Sequence, residues 1–219
     1  MVKAVIFDLD GLLVDSEPVW FHVRTEMFQR FRIAWTTQDQ KALMGKNTQA
    51  WIDYVYEKLG GKLSRDEVTN QTLDGMIRSY QTGHVRLMPG AQKAIEYCSS
   101  IATLGLASGS PKVLIDAALE SNGWKGVFKE VLSSDEVPHG KPAPDVYLEV
   151  MKRLGMKPRE CVVVEDSGSG ILAGRASGAK VIAVPNKELM PPSEALANAD
   201  KIIESLDDIA LGIEAVSSR

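Results

Sequence analysis

Only two cysteines occur in 219 residues, Cys98 and Cys161, without the spacing of a metal-ligand pair, and each lies in or beside an apolar segment. They are expected to be buried thiols of a cytoplasmic protein in a reducing compartment. No run approaches the ~20 apolar residues of a membrane span, and the amino terminus enters a strand directly rather than through a leader. Neither membrane insertion nor export is expected. Basic charge has no surplus: 25 Lys and Arg stand against 29 Asp and Glu, a formal charge of −4, so nothing favours nucleic acid and a small metabolite is the expected partner. Repeats and low-complexity tracts are lacking too. The length and a hydrophobic content of 44% suit one substantial core with an inserted module, acting as a monomer.

What stands out is Val5-Ile-Phe-Asp8-Leu-Asp10-Gly11-Leu-Leu-Val-Asp15-Ser16-Glu17, an apolar run that stops in two carboxylates one residue apart. Val2 to Phe7 is too short for a typical helix and rich in β-branched residues, so it reads as a strand buried on both faces. Asp8 then sits at the carboxyl end of a strand, where open parallel sheets bind ligands. Carboxylates this close share a cation, or one has its pKa raised. A turn after the strand explains the tetrapeptide Asp8–Gly11 equally well, so the reading depends on the rest of the chain.

A long helical stretch follows. Trp20, Val23, Met27 and Phe31 fall on one helix face that Asp15 or Ser16 would cap. Trp51, Ile52, Val55 and Leu59 repeat the spacing before a stop at Gly60-Gly61. Another helix is predicted over Asp66–Tyr80, with Ser64 and Glu67 at capping-box spacing. From Met88-Pro89-Gly90 onward, helices (91–99, 111–122, 144–154, 169–177, 206–216) alternate with strands (103–107, 130–133, 161–164, 180–184). The predicted fold is α/β: a doubly wound parallel sheet formed by residues 1–14 and 86–219, with an inserted all-helical cap over 15–85. Two crossings, near Leu13–Ser16 and Val85–Pro89, join them.

Three further segments carry chemistry. Leu104-Gly-Leu-Ala-Ser108-Gly109-Ser110-Pro111 is a strand ending in a hydroxyl before a helix, a junction suited to phosphate and equally to a plain helix cap. His139-Gly140-Lys141-Pro142-Ala-Pro144-Asp145 holds a lysine in a rigid loop; His139 reads as an exposed loop residue. Val162-Val-Val-Glu165-Asp166-Ser167-Gly168-Ser-Gly170 is a second buried strand ending in carboxylates. Hard oxygen ligands at two strand ends suit Mg²⁺.

These four segments, in this order and with a helical insertion after the first, resemble the haloacid dehalogenase superfamily, in the small-cap subgroup that contains β-phosphoglucomutase and many phosphatases. The resemblance implies a Rossmann-like core and a phosphoryl-transfer site. It makes Asp8 the nucleophile and Asp10 the acid and base, a dual role that needs a pKa raised towards neutrality. Ser108 and Lys141 would bind the phosphoryl group beside Gly11 and Gly109. Mg²⁺ would be held by Asp8, the Asp10 carbonyl and Asp166, with Glu165 direct or through water.

The expected activity is hydrolysis of a small phosphorylated metabolite, a sugar phosphate or nucleotide-like monophosphate. A phosphohexomutase is the alternative, but the histidine that β-phosphoglucomutase places on the first cap helix is matched by Trp20. His22 would face roughly 200° away. The cap arginine expected near Gly45–Thr48 is absent, with Lys46 left to supply positive charge. A noncatalytic phosphate-sensing module is the rival of another class. Glu17, Trp20, Arg24 and Lys46 are the cap candidates for substrate selection, set against a core role for Trp20 and solvated charges for Arg24 and Lys46. Leu43–Lys46, Leu87–Gly90 and His139–Pro142 also look similar to members acting on pseudouridine or flavin monophosphate.

Overall fold

The computed structural model describes residues 2–43, 48–186 and 190–217. Its centre is β1 (Ala4–Phe7), in which every residue is fully buried. Val5 and Phe7 face one apolar cluster, Ala4 and Ile6 another, the two-residue alternation of a strand covered on both sides. The short β2 (Val14–Asp15) leads into α1 (Glu17–Gln29), α2 (Thr37–Leu43), α3 (Thr48–Lys58) and α4 (Arg65–Gln81), and β3 (Arg86–Leu87) leads back. The rest of the chain alternates: α5 (Ala91–Ile101), β4 (Thr103–Ser108), α6 (Lys112–Ser121), β5 (Glu130–Ser133), α7 (Asp145–Leu154), β6 (Cys161–Glu165), α8 (Gly168–Ala176), β7 (Lys180–Ala183), α9 (Ser193–Leu196), β8 (Lys201–Ile202) and α10 (Ile209–Ser217).

Among the described residues the main sheet has six strands in the order β5-β4-β1-β6-β7-β8, all parallel. The chain builds outward from β1 through β4 to β5, then returns to the other side for β6. That reversal opens a crevice at the carboxyl ends of β1, β4 and β6. α5, α6 and α10 cover the face of Val5 and Phe7, and α7 and α8 cover the other.

The cap has its own core of Met27, Phe28, Trp35, Leu43, Trp51, Ile52, Val55, Leu59 and Val68. Its base continues the main core, since Val19, Trp20, Val23, Met76 and Tyr80 join the cluster of Phe7. The predicted capping box is present at α4, where Glu67 N–H donates to Ser64 Oγ and Ser64 N–H to Glu67 Oε2. The left-handed glycines Gly60 and Gly61 follow α3. One expectation changes: Ser16 occupies the position before α1 but makes no cap, because its hydroxyl is committed to Asp10. The two crossings pair as an antiparallel ribbon, Val14 with Leu87 and Asp15 with Arg86. At the far rim Thr48 donates to Asp135 across the cap–core boundary at 2.5 Å.

Asp39 ties the cap helices together. It is buried and accepts hydrogen bonds from Thr36 N–H, Thr36 Oγ1 and Tyr54 Oη, with Lys58 Nζ at 2.8 Å. Burial alone would raise its carboxyl, but Lys58, Thr36 and Tyr54 outweigh that and hold it well below its ordinary value of 3.8. A group depressed in the folded state stabilises above its unfolded pKa and loses that contribution as pH falls. Asp39→Asn is therefore expected to lower stability by about 1–3 kcal/mol at pH 7. In urea titrations its deficit against the wild type should narrow as pH falls below 3.8; a deficit independent of pH would contradict this account.

Candidate active site

Register brings the motifs together. Phe7 pairs with Leu106 on one side and Val164 on the other, so the next residues, Asp8, Ala107 and Glu165, end side by side. Asp8 N–H closes the junction on Val164 O at 3.1 Å. Lys141 enters from the loop between β5 and α7. Its side chain is buried, and its ammonium donates to Asp8 Oδ1 (2.5 Å), Glu165 Oε1 (2.7 Å) and Ala107 O (3.1 Å), using all three of its protons. The ring of Tyr147, on α7, lies under the same ammonium at 4.9 Å while its hydroxyl donates to Glu165 Oε1.

Glu165 is saturated. Its second oxygen accepts from Asp166 N–H, Ser167 N–H and Ser167 Oγ. Asp166 is the opposite case: it is buried, and among the described residues its Oδ1 has no hydrogen-bond partner. Oxygens of Asp8, Glu165 and Asp166 lie within 4.8 Å of one another. With all three ionised, three carboxylates against one ammonium would leave two negative charges without a partner, a deficit that one divalent cation would fill. The ionisation follows. Burial pushes the Asp8 carboxyl up to about 8 against the pull of Lys141, with Glu165 and Asp10 adding to the rise. Asp166 is raised well above the carboxylate range by burial, then by Glu165 and Asp8. For Glu165, Lys141 outweighs burial and the carboxyl is lowered.

Two glycines make the space. Gly11 has φ +82°, and a Cβ there would meet Asp166 Oδ2 at 2.4 Å. A Cβ on Gly170 would lie 1.7 Å from Glu165 Oε1. Neither position admits a side chain with the carboxylates where they are.

Asp10 is held by three hydroxyls. Its Oδ1 accepts from Ser16 Oγ (2.6 Å), and its Oδ2 from Ser110 Oγ (2.7 Å) and Ser108 Oγ (3.0 Å). Ser108 also accepts Ser110 N–H. It is fully buried and absent from the cavity wall, where Gly109 and Ser110 stand instead. Ser110 is thus a site residue that sequence reasoning passed over, although its place two residues beyond a strand-end hydroxyl marked it. Ser16, Tyr147 and Gln40 were missed as well.

The cavity above these residues holds about 610 Å³. Asp8, Asp10, Gly11, Lys141 and Asp166 form its floor; the cap adds Glu17, Trp20, Arg24, Gln40 and Trp51. Arg24 is buried, not solvated, and Trp20 serves both the core cluster and the cavity wall. Lys46 lies outside the described residues. His22 is exposed against Glu26, and His139 is exposed beside Asp145.

This is a Rossmann-like core with a helical cap, a cleft of carboxylates between them, and one buried lysine at its floor. Residues 5–184 match the family of haloacid dehalogenase-like hydrolases, and the chain belongs to that family. It is similar to the bifunctional riboflavin kinase/FMN phosphatase of Arabidopsis thaliana, at 33% identity over 95% of this chain and 55% of the plant protein, so it spans about half of that relative. Hexitol phosphatase B of Escherichia coli O157:H7 is 31% identical over 90% of both chains. The crystal structure of CbbY from Rhodobacter sphaeroides in complex with phosphate superposes with a TM-score of 0.83 at 21% identity, over 95% of this chain and 96% of that one, a likeness of fold. The chain is a hydrolase.

Removing the acid that burial and its neighbours disfavour should show in stability. Asp166→Asn is expected to raise the melting temperature of chelator-treated protein by about 2–4 °C, the shift that ~1 kcal/mol gives a chain of this size. Added Mg²⁺ should stabilise the wild type and not the variant in calorimetry. A lower melting temperature for the metal-free variant would contradict the charge deficit.

Proposed function

We propose that the protein is a Mg²⁺-dependent phosphatase that hydrolyses a small phosphorylated metabolite, a sugar phosphate or nucleotide-like monophosphate, through an aspartyl phosphate on Asp8. The observation that carries the reading is a carboxylate on the cavity floor, one step beyond β1, beside a buried ammonium and an unpartnered Asp166 oxygen. Relatives named as phosphatases of a hexitol and of FMN support a phosphomonoester substrate.

In the first half-reaction an Asp8 oxygen attacks phosphorus, the bond from phosphorus to the ester oxygen breaks, and Asp10 gives that oxygen its proton. In the second, Asp10 takes a proton from water as the water oxygen attacks phosphorus, releasing inorganic phosphate and the Asp8 carboxylate. Ser16, Ser108 and Ser110 fix the Asp10 side chain for both transfers. Lys141 offsets the repulsion between an anionic nucleophile and an anionic ester, and Glu165 with Tyr147 aims it. The turn over Ser108–Ser110 faces the transferred group. Asp8, Asp166 and the Asp10 carbonyl would hold Mg²⁺, with Glu165 beside them, and the bound ion would neutralise charge on the phosphoryl oxygens. The segment 15–85 would act as a cap that rocks about its two crossings to admit substrate and exclude water.

The mutase alternative loses ground on Trp20, whose ring is taken up by Arg24 and Trp51, and on His22, which points to solvent. A sensing module would need no hydroxyl-anchored Asp10.

Hydrolysis of p-nitrophenyl phosphate tests the reading. Chelation is expected to abolish turnover and Mg²⁺ to restore it. Asp8→Asn should lose about 10⁴-fold or more in kcat, and Asp10→Asn about 10²–10⁴-fold. Comparable turnover by Asp8→Asn and the wild type would overturn the proposal.

A further inference from the structure

The cap wall of the cavity contains a polar chain that the hydrolytic chemistry does not use. Arg24 is 4% exposed, and its guanidinium lies 4.7, 5.6 and 5.8 Å from the ring centres of Trp20, Trp35 and Trp51. Its Nη1 donates to Gln40 Oε1 at 3.0 Å, while Nε is buried with no hydrogen-bond partner among the described residues. Among the described residues it makes no direct ion pair; Glu17 is reached only through Gln40, whose Nε2 donates to Glu17 Oε2 at 2.7 Å. Trp35 Nε1 also donates to Gln40 Oε1, at 3.2 Å.

That last bond settles which way the Gln40 amide faces. Its oxygen receives two N–H donors and its nitrogen serves a carboxylate; the flipped amide would set N–H against N–H on one side and oxygen against oxygen on the other. Glu17 is thereby held as an acceptor and Arg24 as a donor in the cavity that Asp8 also lines.

A buried donor and a half-buried acceptor bridged by one amide suit one ligand chemistry. Hydroxyl groups satisfy both, since each donates to a carboxylate and accepts from a guanidinium. A second oxyanion on the substrate would meet Glu17 with like charge and no proton to give. An apolar leaving group would strand both charges. At about 610 Å³ the cavity has room for such a substituent beyond the phosphoryl group. We propose that Gln40 is a positioning residue that sets Glu17 and Arg24 as a hydroxyl-reading pair, selecting phosphomonoesters of uncharged, polyhydroxylated alcohols over those carrying a second acid group. The inference rests on the phosphatase reading above and adds a selection rule to it.

The experiment measures kcat and KM of the purified protein with Mg²⁺ on four esters: a hexitol monophosphate, a hexose monophosphate, 3-phosphoglycerate and p-nitrophenyl phosphate. The wild type is expected to favour at least one hydroxylated ester over 3-phosphoglycerate by about tenfold or more in kcat/KM; the two hydroxylated arms tell an open-chain polyol from a sugar ring. Gln40→Met should lower kcat/KM for the favoured ester, chiefly through KM, so that its ratio to p-nitrophenyl phosphate falls about tenfold. Glu17→Gln provides a second readout that does not depend on how Gln40→Met folds: it should raise 3-phosphoglycerate relative to the hydroxylated esters. A wild-type preference for 3-phosphoglycerate overturns the proposal. So does an equal loss on all esters in Gln40→Met, or an unchanged ratio in Glu17→Gln. Absence of turnover on every ester above an Asp8→Asn control is a different result, which removes the phosphatase reading and this inference with it.

Discussion

Three carboxylates crowd around one ammonium that bonds only two of them at the carboxyl edge of the sheet, and most of the local structure answers to that imbalance. Lys141 is drawn to Asp8 and Glu165, Tyr147 braces Glu165 from below, and the backbone of residues 166 and 167 turns its N–H groups onto the remaining Glu165 oxygen. These contacts neutralise one acid fully and leave Asp8 and Asp166 short of positive charge. Such a site is costly to fold empty and favourable to fill, the usual relation between preorganised chemistry and stability. Gly11 and Gly170 belong to the same constraint, because the acids come so close to the backbone that a methyl group at either position would displace them.

Charge is handled differently on the cap side. Arg24 and Glu17 are kept apart by one amide rather than paired, and three indole rings take the place of the water the guanidinium has lost. On the proposed function the floor of the cavity would take a phosphoryl group and the roof whatever that group is attached to. Because Val19, Trp20 and Val23 on α1 share an apolar cluster with Phe7 of β1, roof and floor are held by continuous packing near the crossings and by lighter contacts at the rim.

Much of this was legible in the chain. Strands buried on two faces announce themselves as unbroken β-branched runs, so β1 and β6, and with them Asp8, Glu165 and Asp166, could be placed at strand ends. The capping box at Ser64 and Glu67 was explicit. What stayed hidden has a common cause: its signal is not periodic. The helix α2, TQDQKAL, has two apolar residues in seven and is stabilised by Asp39 bonding to Thr36, Tyr54 and Lys58, contacts that only the folded cap creates. Gln40 was invisible with it. Ser16 looked like a helix cap because serine before a helix usually is one; across the fold a neighbouring carboxylate takes its hydroxyl instead. β8 and the β2–β3 pair are two residues per strand, too short for any alternation to register. Ser108 carried the expected motif position, but its burial beneath Asp10 depends on the convergence of three segments.

The ribbon at the crossings has a mechanical consequence. Two separate single-chain tethers would let the helical lobe twist and slide as well as tilt, and the roof would arrive over the floor in many registers. Lacing the tethers through Val14–Leu87, Asp15–Arg86 and the bond from Met88 N–H to Leu13 O makes them one strap, stiff against shear and soft mainly to bending. Any travel of the cap would thereby be reduced to roughly a single arc, and Arg24 and Glu17 would return to the same place in the cavity that Asp8 lines.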